Sequence, residues 1–257
     1  MFAVKHLELI EFGTYPPAYN MALDRHLLSL CEADPGRAFL RFYTWAPPAL
    51  SLGHFEPEAA VDRARAERDG VEIVRRPTGG RIVLHKEDLT YTVVVPRELR
   101  ASVLDTYLEL ARCIVTGLAA LGATVELARG PLEKSVARAK PCFLSAARHE
   151  ITYAGRKLVG SAQLVGRQAV LQHGSIPIGR GYRDVANYLA CSDAERALLT
   201  CDMALKTACL EEAVGRSLAP QAVAWSLGEA FAGLAGGGVK PLNLGTNPLD
   251  SLSRACV

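Results

Sequence analysis

No apolar run in this 257-residue chain approaches the ~18 residues a membrane-spanning helix needs. Export is not signalled either. The opening Met1-Phe-Ala-Val-Lys-His-Leu-Glu8 meets charge at Lys5 before an apolar core can form, so no leader peptide is expected. No C-x-x-C occurs among the seven cysteines, Cys31, Cys113, Cys142, Cys191, Cys201, Cys209 and Cys256. Their odd number and their spacing argue against a disulfide framework and against zinc, and predict reduced thiols in a cytoplasm. An excess of one charge is missing as well. The balance of 29 basic against 27 acidic residues, net +2, predicts neither a nucleic-acid nor an anionic-membrane partner. Fixed-period repeats and low-complexity tracts are also absent.

What is present has a globular composition. Hydrophobic residues make up 49% and charged residues 22%, which excludes wholesale disorder. The length suits one large domain or two modest ones, with a sizeable core and no need of staples. The first two thirds alternate strand and helix signals. Short β-branched and aromatic runs fall at 4–10, 39–45, 71–76, 90–95, 123–127, 149–153 and 169–176. Between them, Tyr19, Leu23, Leu27 and Leu30 form a helical stripe over 18–31. A second stripe, Leu104, Leu108, Ala111, Val115 and Leu118, predicts a helix over 102–121, opened by a Ser102–Asp105 capping box and closed near Gly122.

The last third loses its strand signals. Ser192 with Glu195 opens a helix, and 202–216 and 220–233 read as helical. Gly236, Gly237 and Gly238 then break the pattern, and the tail with Pro241 and Pro248 is expected to be loop-like or frayed. The expected fold is α+β, a mixed sheet with flanking helices and a helical C-terminal layer.

Three segments carry chemistry. The first runs from Val74 through Arg75, Arg76, Pro77, Thr78, Gly79 and Gly80 to His85. Adjacent glycines let backbone N–H groups approach an anion or a carbonyl, and flanking arginines favour phosphate or carboxylate. An equally good reading is a β-hairpin with Gly79–Gly80 as its turn. The spacing fits neither a Walker A loop nor a dinucleotide fingerprint. In the second segment, a turn at Ala154–Gly155 leads into a strand with Lys157, followed by the small residues Gly160, Ser161 and Ala162. Small residues in a strand mark a place where something lies against the backbone. A lysine there is ordinarily solvated, but this one has the small-residue run beside it. The third segment is Lys140-Pro-Cys-Phe-Leu144, with His149 and Glu150 close behind. Cys142 sits beside Pro141, near the cations Arg138 and Lys140, which favour a thiolate. The other six cysteines read as buried small hydrophobes.

Together the segments resemble the biotin/lipoate protein ligase superfamily, and within it the lipoate-ligase-like octanoyltransferases. The likeness is carried by Arg75-Arg-Pro-Thr-Gly-Gly-Arg-x-Val-x-His85, Asp88-Leu-Thr-Tyr91, Gly155-Arg-Lys157-x-x-Gly-Ser-Ala-Gln163 and Leu171-Gln-His-Gly-Ser175. Upstream, Asn20-Met-Ala-Leu-Asp24 and the stretch Arg41 to Gly53 fit the same family. The motif-bearing core spans about 18–178, the helical C-terminal part about 183–235 and the tail 236–257, within a single catalytic domain over 1–257.

The resemblance implies transfer of an octanoyl or lipoyl group to one lysine of a small carrier. The donor would be octanoyl-acyl-carrier-protein, or free octanoate or lipoate. The acceptor would be a lipoyl-carrier domain such as a glycine-cleavage H protein or an E2 lipoyl domain. It implies Cys142 as acyl acceptor and Lys157 as the contact to the acyl carbonyl. Arg75, Arg76, Thr78, Gly79, Gly80 and His85, with Gly160, Ser161 and Ala162, would form the acyl- and nucleotide-facing wall. A cysteine nucleophile splits one hard step into two easier ones. A dry tunnel would gain about 0.8 kcal/mol per CH₂, roughly 5 kcal/mol for an eight-carbon chain. The transferase needs no cofactor and no metal. The alternative is an ATP-dependent ligase of the same fold, needing ATP and Mg²⁺, with Cys142 a bystander. Arg81, where many ATP-using ligases carry a third glycine, favours the transferase. A non-catalytic lipoate- or biotin-binding regulator would need a DNA-binding module, for which the N-terminus has no room. The expectation is a cytoplasmic monomer, with no nucleic acid and no membrane.

Overall fold

The strand Asp88–Pro96 (β6) is the centre of the fold, and its run of three valines is buried on both faces. The computed structural model describes residues 7–97, 102–128, 144, 149–234 and 239–242. Around β6 an eight-stranded mixed sheet is built from β1 (Leu7–Tyr15), β2 (Ala38–Trp45), β7 (Glu126–Leu127), β8 (Ile151–Tyr153), β9 (Arg156–Val165), β10 (Ala169–Pro177) and β11 (Val239–Leu242). The order is β11-β1-β2-β6-β10-β9-β8-β7. Within this sheet, among the described residues, the β11–β1 and β1–β2 pairs are parallel and the others antiparallel.

Helix α1 (Pro17–Ala33) covers one face, packing Leu23, Leu27 and Cys31 on Phe39, Val94 and Leu171. Helices α3 (Val103–Ala120) and α6 (Pro220–Ala232) cover the other, closing over Leu40, Phe42, Tyr91, Val93 and Val95. The capping box predicted at Ser102 and Asp105 is present. The predicted α3 stripe is turned from the observed one. Leu110, Ala111, Ile114 and Leu118 are buried, whereas Leu104 is 49% exposed.

A second sheet of three strands, in the order β4-β3-β5, stands beside the first. It contains β3 (Ala49–Leu52), β4 (Glu72–Arg75) and β5 (Val83–His85), with the short helix α2 (Arg63–Arg68) before β4. This order overturns the hairpin reading of the 74–85 segment. β4 pairs parallel with β3, and β5 pairs antiparallel with the other edge of β3. The 76–82 link therefore crosses over the C-terminal end of β3, where Leu52 meets Arg75 and Ser51 meets Val83. A tight turn joins only adjacent strands, and these two are not adjacent.

The C-terminal layer needs two corrections. The helix read over 202–216 is two helices, α4 (Asp193–Lys206) and α5 (Leu210–Val214). The break at Thr207–Ala208 follows from a competing partner. Thr207 bridges to Lys157 on β9, and Ala208 N–H donates to the Lys157 carbonyl at 2.8 Å. Part of the expected frayed tail is strand β11, paired with β1 at the sheet edge. An edge position accommodates Pro241, which has no N–H to give. Among the cysteines, Cys31, Cys113 and Cys209 are buried, Cys191 is half-buried, and Cys201 is exposed, contrary to its reading as a core residue.

Candidate active site

Polar residues recur at every second position on the α1-facing side of the central strands: Arg41 and Tyr43 on β2, Thr90 and Thr92 on β6, His173 and Ser175 on β10. All are buried. Alternation along a strand places them on one face, so the core there is a polar floor rather than an oily one. Above it lies a narrow cavity of about 30 Å³. Its walls are Met21 from α1, Tyr43 and Trp45 from β2, Ser51 from β3 and Arg76 from the crossing loop. Val83 and His85 of β5 and Thr90 of β6 continue them. Gly160, Ser161 and Ala162 of β9 and His173, Gly174 and Ser175 of β10 complete the lining.

Where β10 pairs with its neighbours a glycine allows close approach. Gly174 faces Ser161 across β9–β10 and Tyr91 across β10–β6. A Cβ on Gly174 would lie 2.6 Å from the Gly160 carbonyl oxygen and 2.6 Å from the Tyr91 ring. Behind the floor, Gln172 Nε2 donates to Tyr91 OH at 2.9 Å, and Tyr91 OH lies 2.8 Å from Ser161 Oγ. Burial pushes the Tyr91 phenol up to about 12, so it stays neutral.

Two aspartate–histidine pairs support the crossing loop. His85 Nδ1 lies 2.8 Å from Asp88 Oδ2, which also accepts from Ser175 Oγ at 2.6 Å. His85 Nε2 lies 2.9 Å from Ser51 Oγ, and Ser51 Oγ accepts from Arg76 Nη1 at 3.2 Å. The Trp45 indole stacks on the His85 ring at 4.0 Å. On the other side His173 Nδ1 lies 3.0 Å from Asp24 Oδ2, and His173 Nε2 lies 2.6 Å from Thr78 Oγ1. Arg41 closes this second cluster, donating to Asp24 Oδ1 at 3.0 Å and to Asn20 Oδ1 at 2.7 Å.

The two arginines of the crossing loop bind backbone. Arg75 Nη1 donates to the carbonyls of Gly53, His54 and Glu56, at 3.0, 3.1 and 2.7 Å. It therefore holds the 53–56 turn and is not among the cavity-lining residues. Arg76 reaches the cavity wall while donating to the carbonyls of Ser51, Gly79 and Arg81. Thr78 is fully buried, whereas Gly80 is exposed and adopts φ +94°. Gly53 passes so near Gly80 that a Cβ there would stand 1.8 Å from the Gly80 carbonyl oxygen.

Lys157 is not on the solvent face. It is 2% exposed, and its Nζ donates to Glu150 Oε1 at 2.8 Å. Burial raises the Glu150 pKa against the opposing pull of Lys157. Glu150 Oε2 is buried with no hydrogen-bond partner among the described residues. Lys157 is not one of the cavity-lining residues, although it precedes Gly160 on the same strand. Cys142 lies outside the described residues. Of the predicted wall, Arg76, His85, Gly160, Ser161 and Ala162 come together around the cavity. Thr78 stands one hydrogen bond behind, through His173. Asp24, Asp88, Ser51, Trp45 and Glu150 were given no role from sequence. For Trp45 and Asp88 the legible signal was a polar stripe of period two inside buried strands; Asp24 on helix α1 and Glu150 ahead of β8 lie outside it. Among the described residues no group of three or more His, Cys, Asp or Glu is placed to hold a metal ion, and no helix is long and apolar enough to cross a membrane.

The family model described as lipoyl protein ligase A/B catalytic domain matches residues 16–232. "Octanoyltransferase LipM" of Carboxydothermus hydrogenoformans is 42% identical over 173 residues, 66% of this chain and 64% of that protein. The chain thus spans slightly less than two thirds of that relative. "Octanoyltransferase LipM" of Moorella thermoacetica is 37% identical over 231 residues, 87% of this chain and 84% of that protein. Among solved structures, a bi-partite lipoate protein ligase of Thermoplasma acidophilum, described with its E2 lipoyl domain, superposes with TM-score 0.74 at 17% identity. It covers 97% of this chain and 91% of its own. Lipoate-protein ligase A bound with ATP gives TM-score 0.73 at 20% identity, covering 98% of this chain and 93% of its own. At these identities the two structures show a shared fold.

Proposed function

The chain belongs to the lipoyl protein ligase A/B catalytic domain family, and from that premise we propose that it is an octanoyltransferase of lipoate metabolism. The octanoyl group, or a lipoyl group, comes from an acyl-carrier-protein thioester, rests on Cys142 and ends on one lysine of a lipoyl-carrier domain, of the H-protein or E2 kind. The observation that carries this reading is the 231-residue alignment, at 37% identity and over 87% of this chain, with the octanoyltransferase of Moorella thermoacetica.

The chemistry balances without a cofactor. The Cys142 thiolate attacks the octanoyl carbonyl, a new S–C bond forms, the donor's S–C bond breaks, and the carrier-protein sulfur leaves as its thiolate. The acceptor amine then attacks the new thioester, the amide N–C bond forms, and the Cys142 thiol is released with the amine's surplus proton. Lys157 supplies a positive charge where the carbonyl oxygen gains negative charge in both steps. The buried Glu150 holds that ammonium in place. The acyl chain enters at the cavity bounded by Arg76, His85, Gly160, Ser161 and Ala162, whose space of about 30 Å³ widens to admit it. Arg75, Thr78, Gly79 and Gly80 act by shaping the loop above it. The whole chain serves as one catalytic unit, working as a monomer in the cytoplasm.

A second reading is an ATP-dependent lipoate or octanoate ligase, favoured by the fold shared with ATP-bound lipoate-protein ligase A. There ATP and Mg²⁺ are required, Lys157 contacts the acyl carbonyl and the α-phosphate, and Cys142 is idle. Intact-mass measurement separates the two. Enzyme mixed with octanoyl-acyl-carrier-protein and no acceptor gains one octanoyl group, labile to hydroxylamine and absent in Cys142→Ser. Full activity of Cys142→Ser with ATP and free octanoate would sink the transferase reading in favour of the ligase.

A further inference from the structure

His173 sits at a junction whose polarity can be worked out atom by atom. Asp24 accepts from Arg41 Nη1 and from Tyr43 OH at 3.2 Å. Burial pushes its carboxyl up, but the His173 hydrogen bond and the Arg41 charge outweigh burial and hold it below the usual carboxylate range. An ionised carboxylate only accepts, so the proton between Asp24 and His173 is on Nδ1. Burial, with Arg76 and His85 nearby, lowers the His173 pKa despite the opposing pull of Asp24. The ring is therefore neutral, and its Nε2 accepts from the Thr78 hydroxyl. Charged and titratable groups face it from every side: Asp24 on α1, Arg41 and Tyr43 on β2, Arg76 on the crossing loop and His85 on β5. Thr92 on β6 lies opposite it in register.

Thr78 is where the crossing loop is tied down. Its hydroxyl goes to His173, and its carbonyl accepts the His54 N–H at 2.8 Å. One residue thus binds the 76–82 loop to the floor of the cavity and to the 53–56 turn. On the far side a second chain of contacts, Asp88 to His85 to Ser51, ends on Arg76, which donates to Ser51 Oγ. We propose that His173 is a positioning residue for acyl transfer: as a neutral, Nδ1-protonated imidazole it fixes Thr78, and Thr78 fixes the crossing loop over the acyl cavity. The functional consequence rests on the acyl-transfer reading, whereas the positioning itself does not.

The test uses the full chain labelled with ¹⁵N-histidine. At pH 7 the His173 nitrogens report the neutral Nδ1–H tautomer; an Nε2–H tautomer or a charged ring overturns the proposal. Two variants separate the two ends of the ring. In His173→Gln the amide stands where Nε2 stood and keeps the Thr78 bond; in His173→Asn only the Asp24 bond is kept. His173→Asn speeds exchange of the His54 amide and raises KM for the octanoyl donor by about tenfold, the size of one hydrogen bond, with a smaller change in kcat. His173→Gln restores both. Thr78→Val, which removes only the hydroxyl, gives the same exchange and KM changes if His173→Asn does not fold. Unchanged His54 exchange in the folded Asn and Val variants, or equal losses in Gln and Asn, overturns the proposal. The tautomer and exchange readouts need no acylation, so a chain that modifies no carrier would sink the transferase reading and leave these results standing.

Discussion

Lys157 Nζ and Glu150 Oε1 lie 2.8 Å apart with both side chains buried, a lysine and a glutamate held out of water by the same fold. Removing one partner of such a pair costs about 3–5 kcal/mol where the other stays charged. Burial already raises the Glu150 pKa, so part of that cost is relieved when Glu150 takes up a proton. Lys157→Met is expected to abolish acylation and to lower the melting temperature. Lys157→Met with Glu150→Gln is expected to recover stability without recovering acylation. Recovery of both in the double variant would mean that the lysine has no part in the chemistry.

Stability should fall as the solution is made acid, beginning in the histidine range. His173 has its pKa lowered in the fold, so below its ordinary value of 6.5 the unfolded chain binds a proton that the folded chain does not. Asp24 is lowered too, and adds its loss below its ordinary value of 3.8. In both cases the unfolded state takes up more protons, and stability rises with pH. Urea denaturation from pH 7 to pH 4 measures the slope, and His173→Gln should flatten the part nearest pH 6.5. An unchanged slope would mean that His173 keeps its ordinary pKa in the fold.

Gly174→Ala places a methyl 2.6 Å from both the Gly160 carbonyl oxygen and the Tyr91 ring. Overpacking of this kind costs typically 1–3 kcal/mol. The methyl points away from the cavity, onto Tyr91 behind the floor, so the expected result is a lower melting temperature, with any rise in donor KM coming from displacement of the Gly160 strand. A parental melting temperature would show that Tyr91 and the Gly160 strand give way without cost.

Arg75→Lys withdraws the donor from the three carbonyls now served by Nη1, because the lysine chain is one atom shorter and its Nζ cannot stand where Nη1 stands. Limited proteolysis is expected to cut the 53–58 segment sooner than in the parent, with a modest rise in donor KM. Resistance equal to the parent would mean that Gly53–Gly80 packing alone holds the turn.

The elements made by neighbours along the chain were legible in the sequence. Ser102 with Asp105 and Ser192 with Glu195 announce α3 and α4, because a capping box is a contact across three residues. The apolar runs at 90–95 and 169–176 announce the central strands β6 and β10. Gly160, Ser161, Ala162 and His85 were picked out for the cavity wall by residue type and resemblance, and the fold brings them to one cavity. Strand β3 escaped notice because four residues, Ala49–Leu52, carry too little periodicity to signal a strand. The helix break at Thr207 escaped because its cause is Lys157, fifty residues earlier.

By itself the sequence determined the family, the capped helices α3 and α4 and the central strands β6 and β10, since these follow from patterns a few residues long. Only the tertiary structure decided what the polar side chains of the site do. It sets Arg75 on carbonyls instead of a ligand and pairs Lys157 with Glu150 in the interior. It also joins Asp24 to His173 across 149 positions. The reason is electrostatic. A buried charge or ring nitrogen must find a partner of the right polarity, and in these strands the partner lies on another element.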